Sequence, residues 1–183
     1  QEGEGLASTY PQAFKASTGD YFIVFFPDGN CIPERIPDII KTIDEGYDVV
    51  FMSRFLPSAK TYNPSKVRRF GNYIFPKIIN FLFGTNYTDT LYGFRGYRRE
   101  AIKKMRLTSQ SDECFLRRKI DLLNIWDVGA TMRAAKLNLK TIEIPVVEPE
   151  RIGGKSKVSI LKNGSIIVLQ IVYEWLTGMR YLK

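Results

Sequence analysis

Tyr21-Phe-Ile-Val-Phe-Phe-Pro-Asp-Gly-Asn30 runs six apolar or aromatic residues together and then stops at Pro27, Asp28, Gly29 and Asn30. An unbroken run this rich in aromatic and β-branched residues reads as a strand buried on both faces, the kind found in parallel sheets covered by helices. In open α/β sheets ligands bind beyond the carboxyl ends of the strands. Asp28 and Asn30 therefore stand where such a fold places metal- or substrate-binding groups. Pro-Asp-Gly is also good turn chemistry, so a plain strand-ending turn is the other reading.

Working outward, Pro33 opens a helix through about Glu45, with Ile36, Ile39, Ile40 and Ile43 on one face and Gly46 as its stop. Asp48 to Met52 is a second short buried strand, so strand, helix and strand make a βαβ unit. Upstream, Leu6 to Ser17 forms a short helix interrupted by Pro11. Downstream, Val67 to Phe83 reads as a long helix, Asp89 to Tyr97 as a short segment with glycines, and Arg98 to Met105 as helical. Ser109 to Glu113 reads as loop and Ile120 to Leu137 as helix. Thr141 to Val147 is a strand of alternating character, Glu148 to Lys157 a charged loop, and Leu161 to Leu182 a strongly apolar segment. No stretch reaches the ~18 uninterrupted apolar residues of a membrane span.

The chain has 183 residues, enough for one domain with a real core. Its net charge of +8 comes from 27 Lys and Arg against 19 Asp and Glu, and the excess falls in clusters. These are Arg68-Arg69, Arg95 with Arg98-Arg99, Lys103-Lys104, Arg117-Arg118-Lys119, and Arg151 with Lys155 and Lys157. Such clusters suit phosphate-bearing partners or an anionic membrane face, and each taken singly also reads as solvated surface. No basic platform with interleaved aromatics argues for nucleic acid as the partner. Cys31 and Cys114 have no metal-ligand spacing, and free thiols are expected. Histidine is absent, which removes Ser-His and Cys-His nucleophiles and His-ligated zinc, so acid-base chemistry falls to carboxylates, Lys or Tyr.

Four polar constellations lie at strand ends or in loops. Asp28 and Asn30, two residues apart, can both reach one hard divalent cation, Mg²⁺ or Mn²⁺, without the further ligands of an EF-hand. Ser53-Arg54, followed by Arg68-Arg69 and Asn72 at a helix start, can clamp a phosphate, or the helix arginines can be surface charge. Asp89-Thr-Leu-Tyr-Gly-Phe-Arg95 can turn an Asp and an Arg into a cleft, or use the pair to hold the turn. Arg151-Ile-Gly-Gly-Lys-Ser-Lys157 is an anion-binding loop that lacks P-loop spacing.

The order of these motifs resembles family 2 glycosyltransferases of GT-A fold, in the dolichol-phosphate mannose synthase-like, polyprenyl-phosphate branch. It runs from the strand and Asp turn through Ser-Arg, paired arginines and Asp-x3-Gly-Phe-Arg to Pro-Val-x3-Glu-Arg-x-Gly-Gly-Lys-Ser-Lys, covering about Gly5 to Lys157. The resemblance implies a Rossmann-like α/β fold with a mixed sheet and helices on both faces. Residues 1–157 would be the C-terminal two-thirds of the GT-A domain, with the family's first strands and their nucleotide-binding loop expected upstream of Gln1. A piece without them should bind nucleotide weakly and expose a sheet edge. Residues 158–183 would be an apolar helical segment, interfacial or packed on the core or a second copy.

The implied activity is inverting transfer of a sugar from a UDP- or GDP-linked donor to a polyprenyl or dolichyl phosphate, at the cytoplasmic face of a membrane. Asp28, helped by Asn30, would hold Mg²⁺ or Mn²⁺ and the donor diphosphate. Arg54, Arg68, Arg69 and Asn72 would hold the acceptor phosphate. Asp89 would lie near the sugar and orient or deprotonate the acceptor, and Arg151, Lys155, Ser156 and Lys157 would close over the phosphates. Two departures stand out: Phe26 replaces the first Asp of the usual metal turn, and the later helix carboxylate is matched best by Asp127, less well by Asp121. The alternatives are a family 2 transferase with a non-lipid acceptor and a non-catalytic nucleotide-sugar-binding domain.

Overall fold

A computed structural model of the chain describes residues 6–62, 66–108, 126–150 and 160–178. The elements in order are α1 (Leu6–Ala16), β1 (Tyr21–Val24), a 3-10 turn (Pro33–Arg35), α2 (Ile36–Asp44), β2 (Val49–Ser53), β3 (Lys60–Thr61) and α3 (Lys66–Phe83). Then come β4 (Arg95–Arg98), α4 (Arg99–Lys104), α5 (Trp126–Lys136), β5 (Thr141–Pro145), β6 (Val147–Glu148) and α6 (Ile160–Thr177).

The described strands form a four-stranded sheet in the order β1-β4-β2-β5, plus a short parallel pair of β3 with β6. In the larger sheet β4 runs antiparallel to both β1 and β2, and β2 runs parallel to β5. This is the mixed α/β sheet expected of a GT-A fold. It corrects the simpler reading of a parallel βαβ unit, because β4 lies between β1 and β2. The strand β4 is Arg-Gly-Tyr-Arg, with no apolar run to announce it. Its place depends on Gly96, where an added Cβ would lie 2.1 Å from Ile39 Cγ2 and 3.2 Å from Ile43 Cδ1. The missing side chain lets α2 settle onto the middle of the sheet.

The apolar run that opens at Tyr21 also proves shorter as a strand. The ladder stops at Val24, and Tyr21, Phe22 and Ile23 are only half-buried. Phe25 leaves the ladder to meet Phe94 edge-on at 5.7 Å. The alternation expected over Thr141 to Val147 resolves into β5, half-buried throughout, followed by β6. The helix α1 continues through Pro11 instead of breaking there, and Pro11 is itself buried.

The helices cover both faces. One core gathers Val49, Phe51 and Tyr97 from the sheet with Tyr10 and Phe14 of α1, Ile102 of α4 and Trp126 of α5. On the opposite face Val50, Met52 and Phe94 pack on Ile39 and Ile43 of α2, both fully buried. A third cluster joins α3, α5 and α6 through Ile79, Val128, Met132 and Ile171.

The helix α6 is also fastened by charge. Glu174 is wholly buried and accepts from Arg133 Nε at 2.9 Å, Lys136 Nζ at 2.8 Å and Gln170 Nε2 at 3.0 Å. Its outer face leaves Val168, Leu169, Val172, Trp175 and Leu176 exposed. Helix α6 thus packs against the body on one side and carries an apolar row on the other. Among the described residues no helix is long and apolar enough to cross a membrane.

Candidate active site

The topology brings the sequence motifs to one edge. Because β4 is antiparallel to its neighbours, β1, β2 and β5 share a direction, and their carboxyl ends lie beside the amino end of β4. The Asp28 turn, Arg54, the loop from Asp89 to Phe94, and Glu148 beyond β5 therefore converge.

At the centre is an ion triad. Arg54 donates from Nε to Asp89 Oδ2 at 2.6 Å and from Nη2 to Asp89 Oδ1 at 3.0 Å, a two-pronged pairing. Its Nη1 reaches Glu148 Oε2 at 3.3 Å. Asp89 is 2% exposed and Glu148 7%, so these charges sit out of water and depend on one another. Burial alone would ease the proton off Arg54, but Asp89 and Glu148 outweigh it and hold the guanidinium charged. Thr61 in β3 donates to Glu148 Oε2 at 2.5 Å, tying the segment after Arg54 to the strand that leads toward the basic loop.

Tyr92 joins this triad to the turn after β1. Its hydroxyl donates to the Asn30 carbonyl at 2.6 Å, its backbone N–H donates to Asp89 Oδ1 at 3.2 Å, and Arg54 lies 4.7 Å above its ring. In the turn, the Asn30 N–H donates to Asp28 Oδ1 at 3.2 Å. Asn30 Oδ1 is buried with no hydrogen-bond partner. Phe26, where the family pattern has an acid, lies over Gly93, and a Cβ there would fall 2.5 Å from its ring. Position 26 is therefore an apolar lid on the motif loop.

The other expected residues have varied surroundings. Ser53 is buried, with its hydroxyl 2.6 Å from that of Thr88. On the first turns of α3, Arg68 and Asn72 are half-buried and Arg69 is exposed, and none of them is among the partners of Arg54. Asp127, in the first turn of α5, leaves Oδ1 buried without a hydrogen-bond partner. Burial pushes its carboxyl up to about 6, against the pull of Arg95. Arg151, Lys155, Ser156 and Lys157 lie outside the described residues, as do Asp121 and Cys114.

The basic cluster of Arg95, Arg98 and Arg99 does not face a phosphate, which corrects that expectation. Arg95 is fully buried and donates to the carbonyls of Tyr92 at 2.7 Å and Thr90 at 2.8 Å, to Thr131 Oγ1 at 2.8 Å, and to the Asp127 carbonyl. Arg98 bonds the carbonyls of Tyr47 and Ile43, and Arg99 those of Gly19 and Ser17. All three are used to stitch backbone to backbone.

Residues 1–106 match the family model described as Glycosyl transferase family 2. The chain belongs to that family. It is 26% identical to the undecaprenyl-phosphate mannosyltransferase of Micrococcus luteus, over 85% of this chain and 61% of the relative. It is 30% identical to the polyprenol monophosphomannose synthase of Mycolicibacterium smegmatis, over 72% of this chain and 46% of the relative. It is 27% identical to the dolichyl-phosphate hexose transferase of Haloferax volcanii, over 94% of this chain and 68% of the relative. The chain thus spans from about half to about two thirds of the length of these relatives.

Three residues of this family 2 site escape a motif reading: Tyr92, Glu148 and Glu143. Tyr92 sits inside a quoted motif, but its contacts run to a turn 62 residues away. Glu148 follows an apolar strand with no spacing to set it apart. Glu143 carried a usable signal, a lone acid between Ile142 and Ile144 in a strand.

Proposed function

We propose that this protein is a glycosyltransferase that moves a sugar from a nucleotide-sugar to the phosphate of a polyprenyl or dolichyl carrier, with inversion at the sugar. The observation that carries the reading is the convergence of the Asp28 turn, Arg54 and Asp89 through Tyr92. The relatives' names, each a transferase acting on a polyprenyl or dolichyl phosphate or a synthase of a polyprenol phosphomannose, support the acceptor class.

The turn's donor set fits a divalent cation, since Asp28 offers a carboxylate and Asn30 an amide oxygen with no partner. Among the described residues no three His, Cys, Asp or Glu side chains cluster for a metal. The remaining ligands would be diphosphate oxygens and water, the usual way Mg²⁺ is bound. Such a Mg²⁺ or Mn²⁺ ion would neutralise the departing diphosphate.

An acceptor phosphate oxygen attacks the anomeric carbon opposite the diphosphate, the carbon–oxygen bond to the diphosphate breaks, and the nucleoside diphosphate leaves. The phosphate is anionic near neutral pH, so the protein's task is to hold two anions together. Arg68, Arg69 and Asn72 of α3 are the groups we assign to the acceptor phosphate. Arg54, tied to Asp89 and Glu148, contributes its field and fixes Asp89 beside the sugar. Asp127 is the second carboxylate candidate, and Arg151, Lys155, Ser156 and Lys157 are the groups we assign to the donor phosphates. The exposed Phe70, Tyr73 and Phe81 of α3, with the apolar row on α6, support docking on a membrane surface.

The test is transfer of labelled sugar from a panel of UDP- and GDP-sugars to a short polyprenyl phosphate, with Mn²⁺ and with chelator. The intact protein, including any sequence that flanks these residues, should give metal-dependent lipid-linked product. Equal transfer to the dephosphorylated alcohol, or to a soluble acceptor alone, would overturn the acceptor assignment. Metal-dependent nucleotide-sugar binding with no transfer would favour a binding domain, a reading that the occupation of position 26 by Phe supports.

A further inference from the structure

The segment from Thr85 to Phe94 has no strand ladder of its own and is held by side chains. Asn80 bonds Tyr87 at both its N–H and its carbonyl, at 2.9 and 2.8 Å, and Arg95 holds the carbonyls of Thr90 and Tyr92. The residue that fixes Asp89 itself is Glu143. From the middle of β5 its Oε1 accepts from the N–H groups of Thr88 and Asp89, both at 2.9 Å. Its Oε2 accepts from the Thr88 N–H at 2.8 Å and the Thr88 hydroxyl at 3.0 Å.

A carboxylate on a strand between two isoleucines is costly to desolvate unless its oxygens are filled. Here burial pushes the carboxyl up while the Asp89 and Thr88 donors pull against it. What those bonds accomplish is to aim Asp89. With its backbone fixed, the Asp89 carboxylate takes Arg54 at both prongs and the N–H groups of Leu91 and Tyr92, each at 3.2 Å.

We propose that Glu143 is a positioning residue of this enzyme: it touches no substrate, and by holding the Thr88–Asp89 backbone it sets Asp89 and, through it, Arg54. The inference rests on the function proposed above for its kinetic arm only. Replacing Glu143 by Gln keeps the size but turns one acceptor into a donor facing the Thr88 donors.

The experiment compares Glu143→Gln, Asp89→Asn and the double variant in the intact protein. The first readout is the Nε–H resonance of Arg54 by nitrogen-15 NMR, assigned by its loss in Arg54→Lys. Glu143→Gln should move that resonance toward the position it takes in Asp89→Asn. The second readout is transfer to polyprenyl phosphate. Glu143→Gln should lower kcat by on the order of 10- to 100-fold, as a misplaced group does. In the Asp89→Asn background it should cost less than about twofold more, because the two act as one unit.

An unmoved Arg54 resonance, or losses that multiply independently, would overturn the proposal and leave Glu143 a stabilising residue. If wild-type protein transfers no sugar to any acceptor, the function proposed above fails, and the resonance arm still decides the role of Glu143. Should Glu143→Gln fail to fold, Thr88→Val removes the hydroxyl's bonds to Glu143 and to Ser53, and Ser53→Ala removes the second alone. Thr88→Val should shift the same resonance in the same direction and further than Ser53→Ala does, and no such excess overturns the proposal equally.

Discussion

The hydroxyl of Tyr92 donates to the backbone carbonyl of Asn30 at 2.6 Å, and so locks the turn after the first strand to the loop before the fourth. The same ring lies under Arg54. Tyr92→Phe keeps the ring and removes the lock, so stability should fall by only about 1 kcal/mol. The concentration of Mn²⁺ needed for half-maximal transfer should rise several-fold. Thermal unfolding and a metal titration check the two halves, and an unchanged metal requirement would mean that the turn is set without Tyr92.

Asp89→Asn leaves the guanidinium of Arg54, whose side chain is 11% exposed, with Glu148 as its remaining carboxylate. Removing one partner of a buried pair costs about 3–5 kcal/mol. Urea unfolding should show a loss of that order. In Asp89→Asn/Arg54→Met, where both charges are gone, part of the loss should return. A double variant no better than the single would mean that the pair contributes by shape and not by charge.

Asp127 predicts a pH dependence. Its unfolded value is 3.8 and its folded value about 6, raised by burial, with Arg95 pulling the other way and Tyr10 and Tyr97 as its other titratable neighbours. Below about pH 4 the carboxyl is neutral in both states and carries no penalty. Between the two values the folded form keeps a proton that the unfolded form has released, so stability falls as pH rises and the loss is complete above about 6. Asp127→Asn should remove that slope and stabilise the protein near neutral pH by on the order of 1–3 kcal/mol. Unfolding measured across this pH range checks the slope, and transfer by the same variant separates a catalytic carboxylate from a buried one.

Gly96→Ala is the smallest change that tests why β4 lies where it does. The new methyl would meet Ile39 Cγ2 at 2.1 Å, deep in the core under α2. Overpacking of this kind costs about 1–3 kcal/mol. Ile39→Ala removes the methyl that is met, so Gly96→Ala should cost less in that background than in the parent chain, measured by chemical unfolding. If Gly96→Ala is neutral, α2 does not rest on the strand as closely as described.

The sequence was readable wherever an element announces itself by pattern. The isoleucines of α2 and the apolar β2 stand out by period, and the ordered motifs pointed to the family that the family model matches. What escaped was set by partners distant in the chain. Arg95-Gly-Tyr-Arg98 looks like a basic turn because its stability comes from neighbouring strands and from the absence of a side chain at Gly96. Arg54 reads as an anion receptor until Asp89 and Glu148, 35 and 94 residues further on, are seen to occupy it. Charge alone does not distinguish an arginine that meets a ligand from one that sews the protein together.

The attachment of α6 would matter at the membrane surface proposed above. A helix held to its body by apolar contacts alone can be floated off by detergent or lipid, which offer the same contacts elsewhere. Glu174, bound to Arg133 and Lys136 at 2.9 and 2.8 Å, offers a grip of the opposite kind. Hydrocarbon has no charged group to offer in exchange. The fastening is already out of water, so lipid on the outer face of α6 would leave it in place.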